Sequence, residues 1–489
     1  MPQSNQFILL PRTGLVNATG PAADSLRSLP VVRSLDMAAD AAVEGQAIRV
    51  LDTTAEAGPK LVEMSAEAAL SLNAPQSPLR AVPVVVYDHP RPQPVQPLAA
   101  VAPAALAPPI IITCIEAGTG VPISNARVVA FESFANRTGA QGVTDAVGRV
   151  TLRFASPAVI DRLYVITAST HWGAFRSSLS YTSHTIAIEP VNLAMIDGVR
   201  HYYPAANAAI RFDPTLGVRV GVIDTGVGPH TALNLTGGAC TVTGQPFTDF
   251  ADVDIHGTHV AGLIGSNGTL TGLAPGVDLR SYRVFPNAVD GATNYAILKA
   301  MILAAQDRCD VVNLSLGGGP DDPIVAEAIQ DARNQGMLVV IAAGNDERRP
   351  VSYPAAHPGA TAVSALGRIG TFPPGSLPEG DIALFPPSTL APGVEYIASF
   401  SNVGPQIAVT APGVGDLSTF PGNDHGPLSG TSMAAPVVAG AAACRLSLDP
   451  VIFGMPRDRA RSNAIERLLL TNCTRHGFGT NFEGFGRPL

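Results

Sequence analysis

Lysine is almost missing from this chain of 489 residues: only Lys60 and Lys299 occur, so arginine carries nearly all the positive charge. Charged residues make up 14% of the chain and the net charge is -8, a balance that excludes a basic nucleic-acid surface. Cysteine is sparse as well. Cys114, Cys240, Cys309, Cys444 and Cys473 are scattered without C-x-x-C spacing, so neither a zinc site nor a disulfide framework is indicated, and the odd number leaves one unpaired within a monomer. Residues 1–20 lack a basic stretch leading into an apolar run of about 7–15 residues, and lack a small-residue cleavage site. That argues against a secretory signal and for a cytoplasmic location. Val95 to Ile115 is uncharged and about long enough, at 1.5 Å per residue, to cross a bilayer. Pro97, Pro103, Pro108 and Pro109 would remove its helix hydrogen bonds, so no membrane span is expected.

What is present is a globular composition, 46% hydrophobic and long enough for about three domains. Residues 1–90 mix short apolar runs such as Ala47–Leu51 and Val82–Val86 with a helical segment at Ser65–Asn73, and read as a small α+β unit. Residues 91–109 form a Pro/Ala-rich linker. Residues 110–190 hold β-like runs separated by Gly, Asn and Asp turns, and read as a β-sandwich. Within it, Gly120–Val128 and Val143–Val150 resemble carboxypeptidase-regulatory-like, transthyretin-like modules, which implies an interaction or spacing domain. From 191 to 489 continuously apolar strands alternate with helical segments, the pattern of an α/β domain whose parallel sheet is covered by helices on both faces.

Four motifs in that last region carry chemistry. Val220–Ile223 delivers Asp224 at the carboxyl end of a buried strand, where Thr225-Gly226 turns the chain. Asp-Thr-Gly also occurs in aspartic proteases, but those need a second copy or an identical subunit, and a β-rich fold. His256-Gly257-Thr258-His259 opens a helix of small residues; His256 is the candidate base and His259 reads as structural. The pair lacks the Glu of a zinc-binding H-E-x-x-H. Gly430-Thr431-Ser432 starts an Ala/Gly-rich helix, where unpaired N–H groups would stabilise an oxyanion formed by Ser432 attack. Val339–Ala343 ends in Gly344-Asn345, and Asn345 can offer a side-chain N–H to the same oxyanion.

Taken one at a time, these motifs fit a turn-capping Asp, a structural His, a helix-capping Ser and a left-handed Asn equally well. Together, in the order Asp, His, Asn, Ser across residues 215 to 485, they resemble the subtilisin-like serine proteases. The resemblance implies serine endopeptidase activity on polypeptide substrates through an acyl-enzyme on Ser432, with His256 as general base then acid, Asp224 orienting His256, and Asn345 completing the oxyanion hole. It assigns Ser315, Leu316, Gly317 and Gly318 to a substrate-binding strand, with Ala343 and Gly344 bordering the pocket. The pocket has no evident charged floor, which suits an apolar or broadly tolerated side chain; the alternative is that Asp321, Asp322, Asp346 and Glu347, close in sequence to its walls, favour basic substrates. No cofactor is implied for the chemistry; a structural calcium is common in the family, but no ligands are assignable.

The family also implies that residues 1–90 are an inhibitory pro-segment with Val84–Tyr87 as its last strand, and hence a latent precursor; a regulatory partner binding the N-terminal domains is the other reading. A Pro-rich insertion between Arg368 and Ser399 reads as a lid or partner surface. Trp172 is placed in the sandwich, away from the cleft. A pseudoprotease is disfavoured because all four positions hold competent residues, and an α/β-hydrolase because Ser432 lacks G-x-S-x-G.

Overall fold

A computed structural model describes residues 5–12, 14–15, 20–29, 41–43, 46–88, 107–155, 159–167, 170–203, 211–390 and 392–489. Apart from 107–109, the expected linker lies outside them.

The largest sheet has eight strands and belongs to the C-terminal region. Its order is Leu235–Cys240, Asp278–Arg283, Arg219–Asp224, Val311–Leu314, Leu338–Ala342, Thr361–Arg368, with Ile407–Pro412 and Glu395–Ile397 both on the last of these. All pairings are parallel except that of Glu395–Ile397. The earliest strand, Arg219–Asp224, is central, so successive connections leave it in opposite directions and open a crevice at its carboxyl end. Runs such as Val339-Val340-Ile341 alternate between two cores: Val340 packs with the helices His256–Gly265 and Thr431–Ser447, Val339 and Ile341 with Asn294–Gln306 and Pro323–Asn334. Burial on both faces is why these strands are apolar at every position.

Asp310, at the amino end of the interior strand Val311–Leu314, ties this sheet to the helix Arg459–Leu470. It accepts from Arg461 Nη2 at 2.6 Å, Arg457 Nη1 at 2.9 Å and the Arg219 N–H at 2.9 Å. Each carboxylate oxygen is thereby compensated inside the protein.

The N-terminal unit is a five-stranded antiparallel sheet, ordered Ala41–Val43, Gln46–Thr53, Lys60–Glu63, Gln6–Pro11, Leu79–Pro83, with helices Gly20–Arg27 and Ala66–Leu72. The expected helix at 65–73 is present, capped by Ser65, whose side chain accepts from the Ala68 N–H. Phe7-Ile8-Leu9-Leu10 is apolar throughout because the strand serves two cores. Phe7 and Leu9 face the unit's own helices; Ile8 and Leu10 face the C-terminal domain. Arg80 adds a bidentate pair with Glu327 (2.7 and 2.5 Å), and Lys299 reaches both oxygens of Asp52 at 2.9 Å.

Residues 110–188 form sheets of three and four strands facing each other across a core of Ile112, Val128, Leu163 and Ile186. The Trp172 expectation needs correction. Its backbone pairs within the sandwich, but its ring is 2% exposed and belongs to the core of the C-terminal domain, against Gly415. The Pro-rich insertion is likewise docked rather than free. Its Gly375 carbonyl accepts from the Phe175 N–H at 3.0 Å and from Arg176 Nη1 at 2.5 Å.

Candidate active site

Asp224, fully buried, ends the central strand and accepts at Oδ1 from His256 Nδ1 at 2.8 Å and from the Thr225 N–H at 2.7 Å. A carboxylate can only accept, so Nδ1 carries the proton and Nε2 presents its lone pair. His256 is the first residue of its helix. Asp252 holds the two motifs together, accepting from Thr225 Oγ1 at 2.7 Å and from the Thr258 N–H at 2.8 Å. Thr225 Oγ1 in turn accepts from the Gly257 N–H at 2.9 Å.

Burial by itself would lower the His256 pKa, but the Asp224 charge and hydrogen bond outweigh it and the net shift is upward from 6.5. A base must be neutral to act, so the acid limb of kcat/KM is expected to have its midpoint above 6.5, the ordinary value. Asp224→Asn removes the raising charge and leaves the burial. Its midpoint should therefore move to lower pH, read from pH profiles on a small anilide substrate; an unmoved limb would mean that another group titrates there. His259 is different: it is fully buried, Nε2 lies 2.9 Å from the Asp416 carbonyl oxygen, and burial pushes its pKa down to about 3. It is a neutral structural residue, as its sequence context suggests.

Ser432 is the second residue of the helix Thr431–Ser447. Pro436 has no N–H to give the Ser432 carbonyl one turn back. That carbonyl accepts instead from Ser315 Oγ at 2.8 Å, which fixes the start of the helix against the end of the neighbouring strand. Ser432 Oγ donates to the Ser315 carbonyl at 3.3 Å and makes no hydrogen bond to His256, a looseness common in unliganded sites. Asn345 Oδ1 accepts from both the Thr431 N–H and Thr431 Oγ1 at 2.9 Å. Since a backbone N–H can only donate, the amide orientation is set, and Nδ2 is left without a partner among the described residues.

The strand edge at Ser315, Leu316, Gly317 and Gly318 is occupied by the chain's own N-terminal unit. Val86–Tyr87 pairs antiparallel with Ala292–Thr293, and the Asp88 N–H donates to the Gly317 carbonyl at 3.1 Å. Gly318 has a φ of 76°, and a Cβ there would meet Asp88 Oδ2 at 2.5 Å; one on Gly319 would meet the Tyr87 ring at 2.3 Å. Ala343 and Gly344 lie beside this edge; the Ala343 carbonyl accepts from Ser352 Oγ and the Gly344 N–H donates to Thr431 Oγ1, both at 3.1 Å. Three of the four nearby acids are committed, while Asp321 is 71% exposed, with His357 Nδ1 at 3.8 Å. Asp322 caps the helix at Ile324, Asp346 accepts from Asn402 Nδ2 at 2.8 Å, and Glu347 pairs with Arg137.

Thr225, Asp252 and Thr431 were not singled out by sequence reasoning. Their partners lie across loops or as backbone N–H groups, and the one visible signal was an Asp four positions before His256. Among the described residues no three His, Cys, Asp or Glu side chains gather as a metal site would. No described helix is long and apolar enough to cross a membrane.

A parallel sheet that brings a buried Asp–His pair and a helix-initial serine to its carboxyl edge defines a hydrolase of the serine-nucleophile class. The profile of the subtilase family matches residues 215–487, and the chain belongs to that family. It is 36% identical to subtilisin DY of Bacillus licheniformis over 256 residues, covering 50% of this chain and 83% of that protein. Subtilisin Savinase of Lederbergia lenta is 37% identical over 231 residues, 46% of this chain and 75% of that protein. Alkaline elastase YaB of Bacillus sp. (strain YaB) is 36% identical over 268 residues, 54% and 62% of the two chains. The protein is a subtilisin-like serine endopeptidase, and its chemistry needs no cofactor.

Proposed function

We propose that Ser432 is the nucleophile, His256 the general base and then acid, Asp224 the group that orients His256 and stabilises its imidazolium, and Asn345 an oxyanion donor. The observation that carries this reading is the 2.8 Å Asp224–His256 pair beside a serine held at a helix N-terminus. A peptide lies along Leu316–Gly318 and pairs through its backbone. As Ser432 Oγ attacks the carbonyl, Nε2 of His256 takes its proton, and the new oxyanion rests between the Ser432 N–H and Asn345 Nδ2. His256 then protonates the leaving amine, and water, activated the same way, hydrolyses the acyl-enzyme. A fluorophosphonate adduct mapped by mass spectrometry should fall on Ser432; an adduct on another serine overturns the assignment.

Residues 1–90 are read as an inhibitory pro-segment, which makes the full chain a latent precursor. The support is the tail itself: fully buried Tyr87, with Asp88 bonded to the strand that a substrate would use. Tyr87→Asp in the full chain should raise the initial rate about tenfold or more by weakening that occupancy. Wild type should also cut itself between residues 89 and 109, as read by N-terminal sequencing. Equal initial rates for the two chains would sink the latency reading. The unit at 110–190 is read as a carboxypeptidase-regulatory-like module, supported by its two facing sheets.

A further inference from the structure

A cavity of about 450 Å³ opens between the β-sandwich and the C-terminal domain, within the range of about 300–1,000 Å³ typical of ligand clefts. Phe134, Arg162 and Tyr164 line it from the sandwich, and Arg348, Phe385 and Phe400 from the other side. Arg348 is three residues beyond Asn345, and Arg137 of the sandwich pairs with Glu347 between them. The cavity therefore adjoins the loop that carries the oxyanion donor.

Its place along the cleft follows from the sheet. The tail occupies the edge beyond strand Val311–Leu314; Asn345 follows the next strand, Leu338–Ala342; and Phe400 follows Glu395–Ile397, farther in the same direction. Asp88 opposes Gly317 in antiparallel register, so a peptide on the same course would present its residue two places later to Ser315, whose carbonyl accepts from Ser432 Oγ. Continuing past Ser432 and Asn345, the peptide runs into the cavity.

The cavity's chemistry is aromatic and cationic. The Arg162 and Arg137 guanidinium carbons lie 3.8 and 3.9 Å from the Phe134 ring centroid, and Arg162 Nη1 donates to the Tyr164 hydroxyl at 3.3 Å, which leaves Arg162 Nε and Nη2 as the donors open to a ligand. Arg348 Nη1 is buried with no hydrogen-bond partner among the described residues. Burial lowers the Arg348 pKa only to about 10, so it stays charged at neutral pH. Glu347, the one acid in the lining, is already paired with Arg137.

We propose that this cavity receives the leaving-group half of the substrate, so that the β-sandwich is a wall of the cleft and selects an aromatic and an acidic residue just after the cut. The inference rests on Ser432 and Asn345 being the reacting site. It goes beyond that site by giving the sandwich a part in specificity.

The test uses the full-length chain, incubated until hydrolysis of a p-nitroanilide is maximal, with Phe134→Ala, Arg162→Gln and Phe385→Ala variants. Internally quenched peptides share the anilide's acyl half and carry Phe-Glu, Ala-Ala or Lys-Lys after the cut; the methyl ester of the same acyl half, whose leaving group is methanol, places no residue in the cavity. Wild type should prefer Phe-Glu over Ala-Ala by about tenfold in kcat/KM, and disfavour Lys-Lys further. In each variant the preference should fall to within about twofold. Phe385 is 79% exposed, so its variant keeps the test sound if the sandwich variants fold poorly. A preference identical in wild type and variants overturns the proposal, as does a loss shared equally by the peptides and the methyl ester. A wild type that cleaves neither kind of substrate refutes the site assignment itself, and this inference with it.

Discussion

Ser432→Ala is expected to lower turnover of a peptide substrate by about 10⁶-fold, a magnitude carried over from subtilisin rather than calculated for this chain. The physical reason is that nothing else at the site can form the acyl bond. Ser315 Oγ is spent on the Ser432 carbonyl, and Thr431 Oγ1 on Asn345. What remains is the oxyanion hole and peptide binding, which by themselves give about 10³–10⁴ over water. KM should change little, because the hydroxyl contributes to the transition state and not to backbone pairing along Leu316–Gly318. Steady-state kinetics on an anilide decide the matter. A loss of under about tenfold would place the nucleophile elsewhere.

The second large effect is expected at Asn345. Losing an oxyanion donor costs about 10²–10³ in kcat, a value measured on subtilisin itself. On the proposed reading the side chain has two tasks, since its oxygen also accepts from the Thr431 N–H at the head of the helix that carries Ser432. Ala removes both; Asp keeps the acceptor and replaces the donor with a negative charge facing the oxyanion. If donation is what matters, Asn345→Asp should be at least as impaired in kcat as Asn345→Ala. An active Asp variant beside an inactive Ala variant would assign the residue to holding the helix alone.

The four positions proposed to react stood out in the sequence because each stands where a local pattern breaks, at the end of an apolar strand or the start of a small-residue helix. Their order then distinguished the family. The supporting contacts were not legible. Asp252 works through Thr225, 27 positions away, and Ser315 meets Ser432 across 117. In the sandwich the apolar strands were readable, whereas Thr138–Val143, with two glycines and a glutamine, and the polar Ala174–Ser180 were not. Both lie at sheet edges, where only one neighbouring strand constrains them. Trp172 was misplaced for a related reason: its strand neighbours say which sheet it follows, but not that its ring crosses into the next domain.

The face by which the N-terminal unit meets the protease has a consequence for timing. Ile8, Leu10 and Tyr87 share a core with Tyr295 and Ile324, and the Arg80–Glu327 and Asp52–Lys299 pairs flank it. Severing the chain between 89 and 109 breaks none of these contacts. On the latency reading, the cut turns a tethered inhibitor, present at a fixed effective concentration, into a separate molecule whose occupancy depends on dilution. Freshly cut enzyme held concentrated would then remain silent, and the same sample would awaken as it is dispersed.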